Sequence, residues 1–340
     1  LKRSLFRQLK RNGNRTPHQD VEVARSTELE LAALALWLDH PKADLDYLQD
    51  ILWAYCDDWT WVRAAHEDCS IDLGSATRGA RLAEILYALQ DRIEAEVADR
   101  VHAEIERRIF QNAVDYNNTE FWHTARMNWN HACNGGIIRA ALLEIKDSSV
   151  LAMLLHSVIQ NMTYGLDGFT DDGGCVEGPG YWGYGFGLFV QAAYALHCRT
   201  GGELNIMADE KVERICRFPL APHIEGSARA TFADSGPGGV DPLTALQINR
   251  FYDIPELYEQ CPRQKSGKRE GSGALMVQDM HELALYNGEK ATGKVDSKDY
   301  VLPNLGTVKL RGKPGKEQMT IAALAGNNGA PHNHLSLIHI

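Results

Sequence analysis

The stretch TELELAALALWLDH, residues 27–40, decides the fold class. Leu29, Leu31, Ala32, Ala35, Leu36 and Leu38 recur close to a 3.6-residue period, which predicts a helix rather than a strand. The next segment, ADLDYLQDILWAYC (43–56), repeats the pattern with Leu45, Leu48, Ile51, Leu52 and Tyr55. Further helical runs follow in RLAEILYALQDR (81–92) and AEVADRVHAEIERRIFQNAV (95–114), the second laced with i,i+4 charges such as Glu104 and Arg108. HACNGGIIRAALLEI (131–145), SSVLAMLLHSVIQNM (148–162), GFGLFVQAAYALHCRT (185–200) and LNIMADEKVERICRF (204–218) continue the series. Short loops rich in Trp, Asn and Gly join them. Helical hairpins of similar length, with no strict sequence repeat, suggest an α/α toroid or solenoid.

The character changes near Pro219. PLAPHIEGSARATFADSGPGG (219–239) is loop-like and carries Phe232, Asp234 and Ser235. DPLTALQINRFYDIPELYEQC (241–261) is a last short helical stretch, and QKSGKREGSG (264–273) is a solvated loop. From Ala274 the pattern turns towards strands: ALMVQ, LALYN, GTVKLRG and QMTIAALAG, the last two separated by the turn-like KPGKE. Two or three strands do not close a sandwich. The expected organisation is therefore an N-terminal extension (1–26), an α/α toroid (27–240), and a linker helix with the start of an antiparallel β-sandwich (241–340). Strands are expected only after about Ala274.

The chain has 340 residues, enough for about two domains. No apolar run reaches the roughly 18 residues of a membrane-spanning helix. A net charge of -10 argues against non-specific nucleic-acid binding, but leaves room for a local cationic cleft that takes an anionic sugar. The seven cysteines are scattered and form no CxxC, which reads as reduced thiols. The basic N-terminus has no apolar core of a signal peptide. The expected location is cytoplasmic, or periplasmic or secreted if a leader has been lost.

Three clusters carry candidate chemistry: MNWNHACNGG (127–136), DDGGCVEGPGYWGYG (171–185) and GNNGAPHNH (326–334). Each has a plain structural reading. Asn130 can cap a helix that starts at His131, Asp172 and Glu177 can cap helices, and the glycines can be turns. Taken together they hold Asn, His, Tyr and a His-x-His, with no Ser/His/Asp set and no phosphate loop. A tyrosine paired with histidine suits proton transfer at carbon.

These clusters, in this order, resemble the heparinase II/III-like polysaccharide lyases and their alginate-lyase relatives. The Asn-His of that family is similar to Asn130-His131. Its Glu-x-x-Pro-x-Tyr loop is similar to Glu177, Pro179 and Tyr181, with Glu and Pro closer together here. Its His-x-His is similar to His332 and His334. Weaker similarity extends through residues 56–84. The resemblance implies an incomplete α/α toroid followed by an antiparallel β-sandwich longer than the one seen here, so the chain is expected to be truncated C-terminally and its last residues, LSLIHI, not to be native. It implies β-elimination of a uronate-containing glycan, an anionic oligo- or polysaccharide. Asn130 and His131 would neutralise the uronate carboxylate. Tyr181 would act as acid, and also as base when proton and leaving group share a face. His131 or His332 would be the base for the opposite face. Trp129, Asn134, Glu177 and Trp182 would contact substrate. Asn130, His131 and Tyr181 are expected on one wall of a cleft. No cofactor is required by the chemistry. His334 resembles a structural zinc ligand of some relatives, but a zinc site needs about four ligands. The same residues leave open a uronyl C5-epimerase, a glycoside hydrolase using Asp172 and Glu177, and a glycan-binding toroid without catalysis.

Overall fold

The computed structural model describes residues 1–114, 120–262, 298–312, 319–327 and 329–333. The protein is mostly helical, with a small antiparallel sheet near the C-terminus. None of the described helices is long and apolar enough to cross a membrane. The described residues fall into two compact units. One holds Leu1–His123 and Cys133–Ile159, and the other holds Thr124–Ala132 and the residues from Gln160 onward.

In the first unit, the helix predicted to begin at Thr27 begins at Thr16 and runs to Trp37. Its buried face is Leu29, Ala33 and Leu36, spaced i, i+4, i+7, while Leu31 and Leu38 are exposed. It packs on Leu45–Cys56, which Asp44 caps by accepting the Tyr47 N–H at 3.0 Å. Leu73–Ala88 starts from a capping box in which Asp72 and Ser75 bond each other's backbone. It packs on Ala95–Ile105 and on the π-helical turn Glu106–Phe110 that continues it. A Cβ at Gly79 would lie 2.8 Å from Ile109 Cγ1, so the close approach of these helices requires glycine there. Charges inside the unit are paired: Arg78 and Arg63 share Glu22, Arg81 meets Glu30, and Arg139 meets Glu84. Such pairs mainly offset the cost of their own burial.

In the second unit, the segment Pro179–Arg199 is helical throughout, with a π-helical turn at Trp182–Phe186. Pro242–Ile248 packs against Gly187–Arg199. Glu210–Arg217 is shorter than the predicted run because Asn205–Ala208 forms a turn and Asp209 caps the helix at Lys211. A two-stranded hairpin, β1 (His223–Glu225) with β2 (Ala228–Arg229), lies well before Ala274, so the expectation of strands only beyond that residue is corrected. Its turn is made by Gly226 at φ 53°. β3 (Tyr300–Leu302), β4 (Thr307–Arg311) and β5 (Thr320–Leu324) pair antiparallel in that order. β4 and β5 lie in the predicted GTVKLRG and QMTIAALAG; β3 falls outside the predicted strands. ALMVQ and LALYN lie outside the described residues. The Lys309 side chain of β4 is fully buried, with its ammonium donating to the Leu220 carbonyl at 2.6 Å.

Candidate active site

The loop DDGGCVEGPGYW is tied down residue by residue. Gly173 has φ 86°, and a Cβ there would lie 2.4 Å from the Arg214 carbonyl. Arg214 Nε donates to the Asp171 carbonyl at 2.7 Å. Asp172 accepts the Thr170 hydroxyl on one oxygen and the Asn304 N–H on the other, at 2.8 Å. Phe169 and Cys175 bridge across the loop base. Asp172 is thus spent on building the loop.

Glu177 is buried and faces a helix start. Its Oε2 accepts the Asn128 N–H and its Oε1 accepts the Asn128 side-chain amide, both at 2.7 Å. The helix runs Asn128–Glu144, so it begins before Asn130, and Glu177 satisfies a backbone donor that the first turn leaves open. Burial pushes the Glu177 carboxyl above its ordinary range, against the pull of Asn128 and of the nearby His332.

His332 is the centre of the site. Its Nε2 lies 3.3 Å from Glu177 Oε1, and its Nδ1 lies 3.1 Å from Asp234 Oδ2. Its ring stacks on Tyr181, with centroids 3.7 Å apart and planes 19° from parallel. The His332 side chain is 25% exposed, enough to meet a ligand. Tyr181 stands in the first turn of its helix, as predicted. Two backbone positions beside the cluster carry strain: His332 has φ 64° and Ala233 has φ 55°. Left-handed non-glycine residues concentrate where surrounding structure over-determines them, often at functional sites.

Glycines let the Tyr181 segment meet the Asp234 segment. Gly178 has φ 88°, and a Cβ there would lie 2.7 Å from the Phe232 carbonyl and 2.9 Å from Ala233 Cβ. A Cβ at Gly180 would lie 3.1 Å from the Asp234 carbonyl.

Asn130 and His131 do not face this cluster through an open cleft wall. Asn130 is fully buried, and its amide donates to the Asn161 carbonyl at 2.8 Å. His131 is 1% exposed, with Nε2 3.3 Å from the Met162 carbonyl and the ring among Phe169, Phe186 and Phe189. Burial pushes its imidazole down to about 4. Both residues join the first turn of their helix to the end of Ser148–Leu166, where Gly165 makes room for them. The expectation of Asn130, His131 and Tyr181 on one open wall is corrected, since Asn130 and His131 are buried; Asn128 of NWN joins the Tyr181 cluster through Glu177.

Two expected substrate contacts are also corrected. Trp182 is 1% exposed and its indole N–H donates to the Ile215 carbonyl at 2.9 Å, so it is a core residue. Asn134 is fully buried in its helix. Trp129 is half-buried, and Glu177 serves the helix start and His332. His334 lies outside the described residues. Among the described residues, no group of three or more His, Cys, Asp or Glu side chains is placed to hold a metal ion. Asp234 stands out in the sequence only as an acid in a loop, and Asn128 only as the first asparagine of NWN.

A phenol stacked on an imidazole that lies between two carboxylates is equipped for proton transfer in a partly water-excluded setting. No family model matches the chain, and no curated protein matches it.

Proposed function

We propose that the protein is a polysaccharide lyase that cleaves a 4-linked uronate by β-elimination, on helices paired around a bowl. The observation that carries this reading is the Tyr181–His332 stack, with His332 between Asp234 and Glu177. The resemblance of the Glu177–Pro179–Tyr181 loop and of His332 to heparinase II/III-like lyases supports it.

Elimination removes the proton at C5 and expels the oxygen at C4. An imidazole with a carboxyl group against each nitrogen is held in one orientation beside the phenol. His332 then positions the phenol by its stack rather than acting as the base. As a base, Tyr181 reacts in its deprotonated form. The phenolate takes the C5 proton and returns it to the leaving O4, so acid and base are one residue acting on one face of the sugar. Glu177 and Asp234 hold the imidazole in orientation. Asn128 holds Glu177.

The hydrolase reading needs two carboxylates facing a glycosidic oxygen. Asp172 and Glu177 are instead committed to hydrogen bonds within the protein. A C5-epimerase shares the proton abstraction, and the product separates the two. Elimination creates a C4–C5 double bond that absorbs ultraviolet light, and epimerisation does not. The test is a panel of uronate polymers, glycosaminoglycan and alginate types included, with that absorbance as readout. Rising absorbance on at least one polymer is expected; a flat trace on all of them, with shortened chains, would favour hydrolysis.

A further inference from the structure

Arg229, at the end of β2, takes no part in the chemistry above, yet its guanidinium is unusually placed. Nη1 donates to the Pro179 carbonyl at 3.1 Å and, more weakly, to the Gly239 carbonyl at 3.4 Å. Nε donates to the Gly236 carbonyl at 3.1 Å. Its acceptors are backbone oxygens, and no carboxylate lies within ion-pair distance of it among the described residues. Pro179 stands two residues before Tyr181. Gly236 and Gly239 stand in the loop that carries Asp234.

The geometry points to Arg229 as the positioning residue of this site: one guanidinium clamps the Tyr181 segment to the Asp234 segment and so sets the stack of Tyr181 on His332. The two segments also abut directly, where Gly178 and Gly180 meet Phe232, Ala233 and Asp234. Van der Waals contact of that kind permits sliding. A planar fork with donors in fixed directions does not, and a lysine, with a point charge, cannot reproduce it. The strained φ of Ala233 lies inside the clamped loop and needs such a hold. Arg229 touches no reacting atom in this scheme.

The rate readout rests on the elimination reading, so the experiment includes one that does not. The full chain carries 3-fluorotyrosine at position 181, and the ¹⁹F resonance reports the ring current of the stacked His332. Arg229→Met and Arg229→Lys are compared with Arg217→Met, which removes a surface partner of Glu213 only. In both Arg229 variants the resonance should move towards that of an unstacked tyrosine, the lysine variant included, while Arg217→Met leaves it in place. On a polymer that the unsubstituted enzyme cleaves, kcat should fall about 10- to 100-fold with KM within about twofold, the cost of misplacing a reacting group by about an ångström. An unchanged resonance in Arg229→Met and Arg229→Lys would overturn the inference. So would a KM that rises with kcat retained, which would make Arg229 a substrate ligand. If no uronate polymer is cleaved by any form, the elimination reading fails and the resonance still decides the clamp.

Discussion

Tyr181 shows how one residue's place on a helix assigns roles to its neighbours. Successive helical residues point about 100° apart. With Tyr181 turned to His332, Trp182 is turned away and seals the core under Ile215. The same rule separates Asn128 from Asn130, about 200° apart on their helix. The first meets Glu177, and the second meets the Asn161 carbonyl. The sequence placed an asparagine at this helix start but could not say which one faces the site, because that depends on where the helix begins. Tyr181→Phe keeps the ring and its stack and removes only the hydroxyl. Stability should change by no more than about 1 kcal/mol. The elimination rate should fall about 10²–10⁴-fold, with substrate binding retained. Unfolding midpoint, product absorbance and binding, measured on one preparation, check all three. Equal rates would make the phenol a bystander.

At the scale of elements, the close crossing of two helices matters most. Gly165, near the end of Ser148–Leu166, faces the first turn of Asn128–Glu144. A Cβ there would lie 2.4 Å from His131 Nε2 and 2.6 Å from Asn130 Oδ1. Two effects oppose each other in Gly165→Ala. Alanine favours a helix over glycine by about 1 kcal/mol. Overpacking a filled core costs about 1–3 kcal/mol. The imidazole is enclosed by Phe169, Phe186 and Phe189 and has little room to retreat, so the second effect should win. A net loss of about 1–2 kcal/mol is expected in urea unfolding. A gain would mean that the helices separate freely at this point. The Asn130-His131 pair stood out in the sequence, but its resemblance to a catalytic pair pointed towards chemistry. In the tertiary structure both side chains are buried where the two helices cross.

For the whole molecule, acid stability follows from the same burial. The His131 imidazole sits at about 4 in the folded chain, below the 6.5 expected when unfolded. As pH falls below 6.5 the unfolded chain binds a proton that the folded chain refuses. The stability present above 6.5 is therefore lost progressively as pH falls to about 4. The shift corresponds to roughly 3 kcal/mol, a large part of the stability of an ordinary domain. His18 and His123 are lowered by burial too and act in the same direction. His131→Gln, which keeps an amide donor for the Met162 carbonyl, should flatten the stability-against-pH curve between pH 6.5 and about 4. Chemical unfolding at a series of pH values measures this; a curve as steep as that of the unsubstituted protein would place the acid sensitivity elsewhere.

Periodicity alone established the helical character of the first two-thirds of the chain, the change towards strands at GTVKLRG and QMTIAALAG, and the loop that delivers Tyr181. These are local properties: apolar spacing selects helix or strand, and a run of glycines with one proline forces a break. The fate of each polar side chain was not local. Glu177 became a helix cap as well as a partner of His332, Asp172 a loop brace, and Asp234 half of the bracket around an imidazole. Such roles depend on which donors arrive from distant parts of the chain, because a buried carboxylate must find partners wherever the packing brings them.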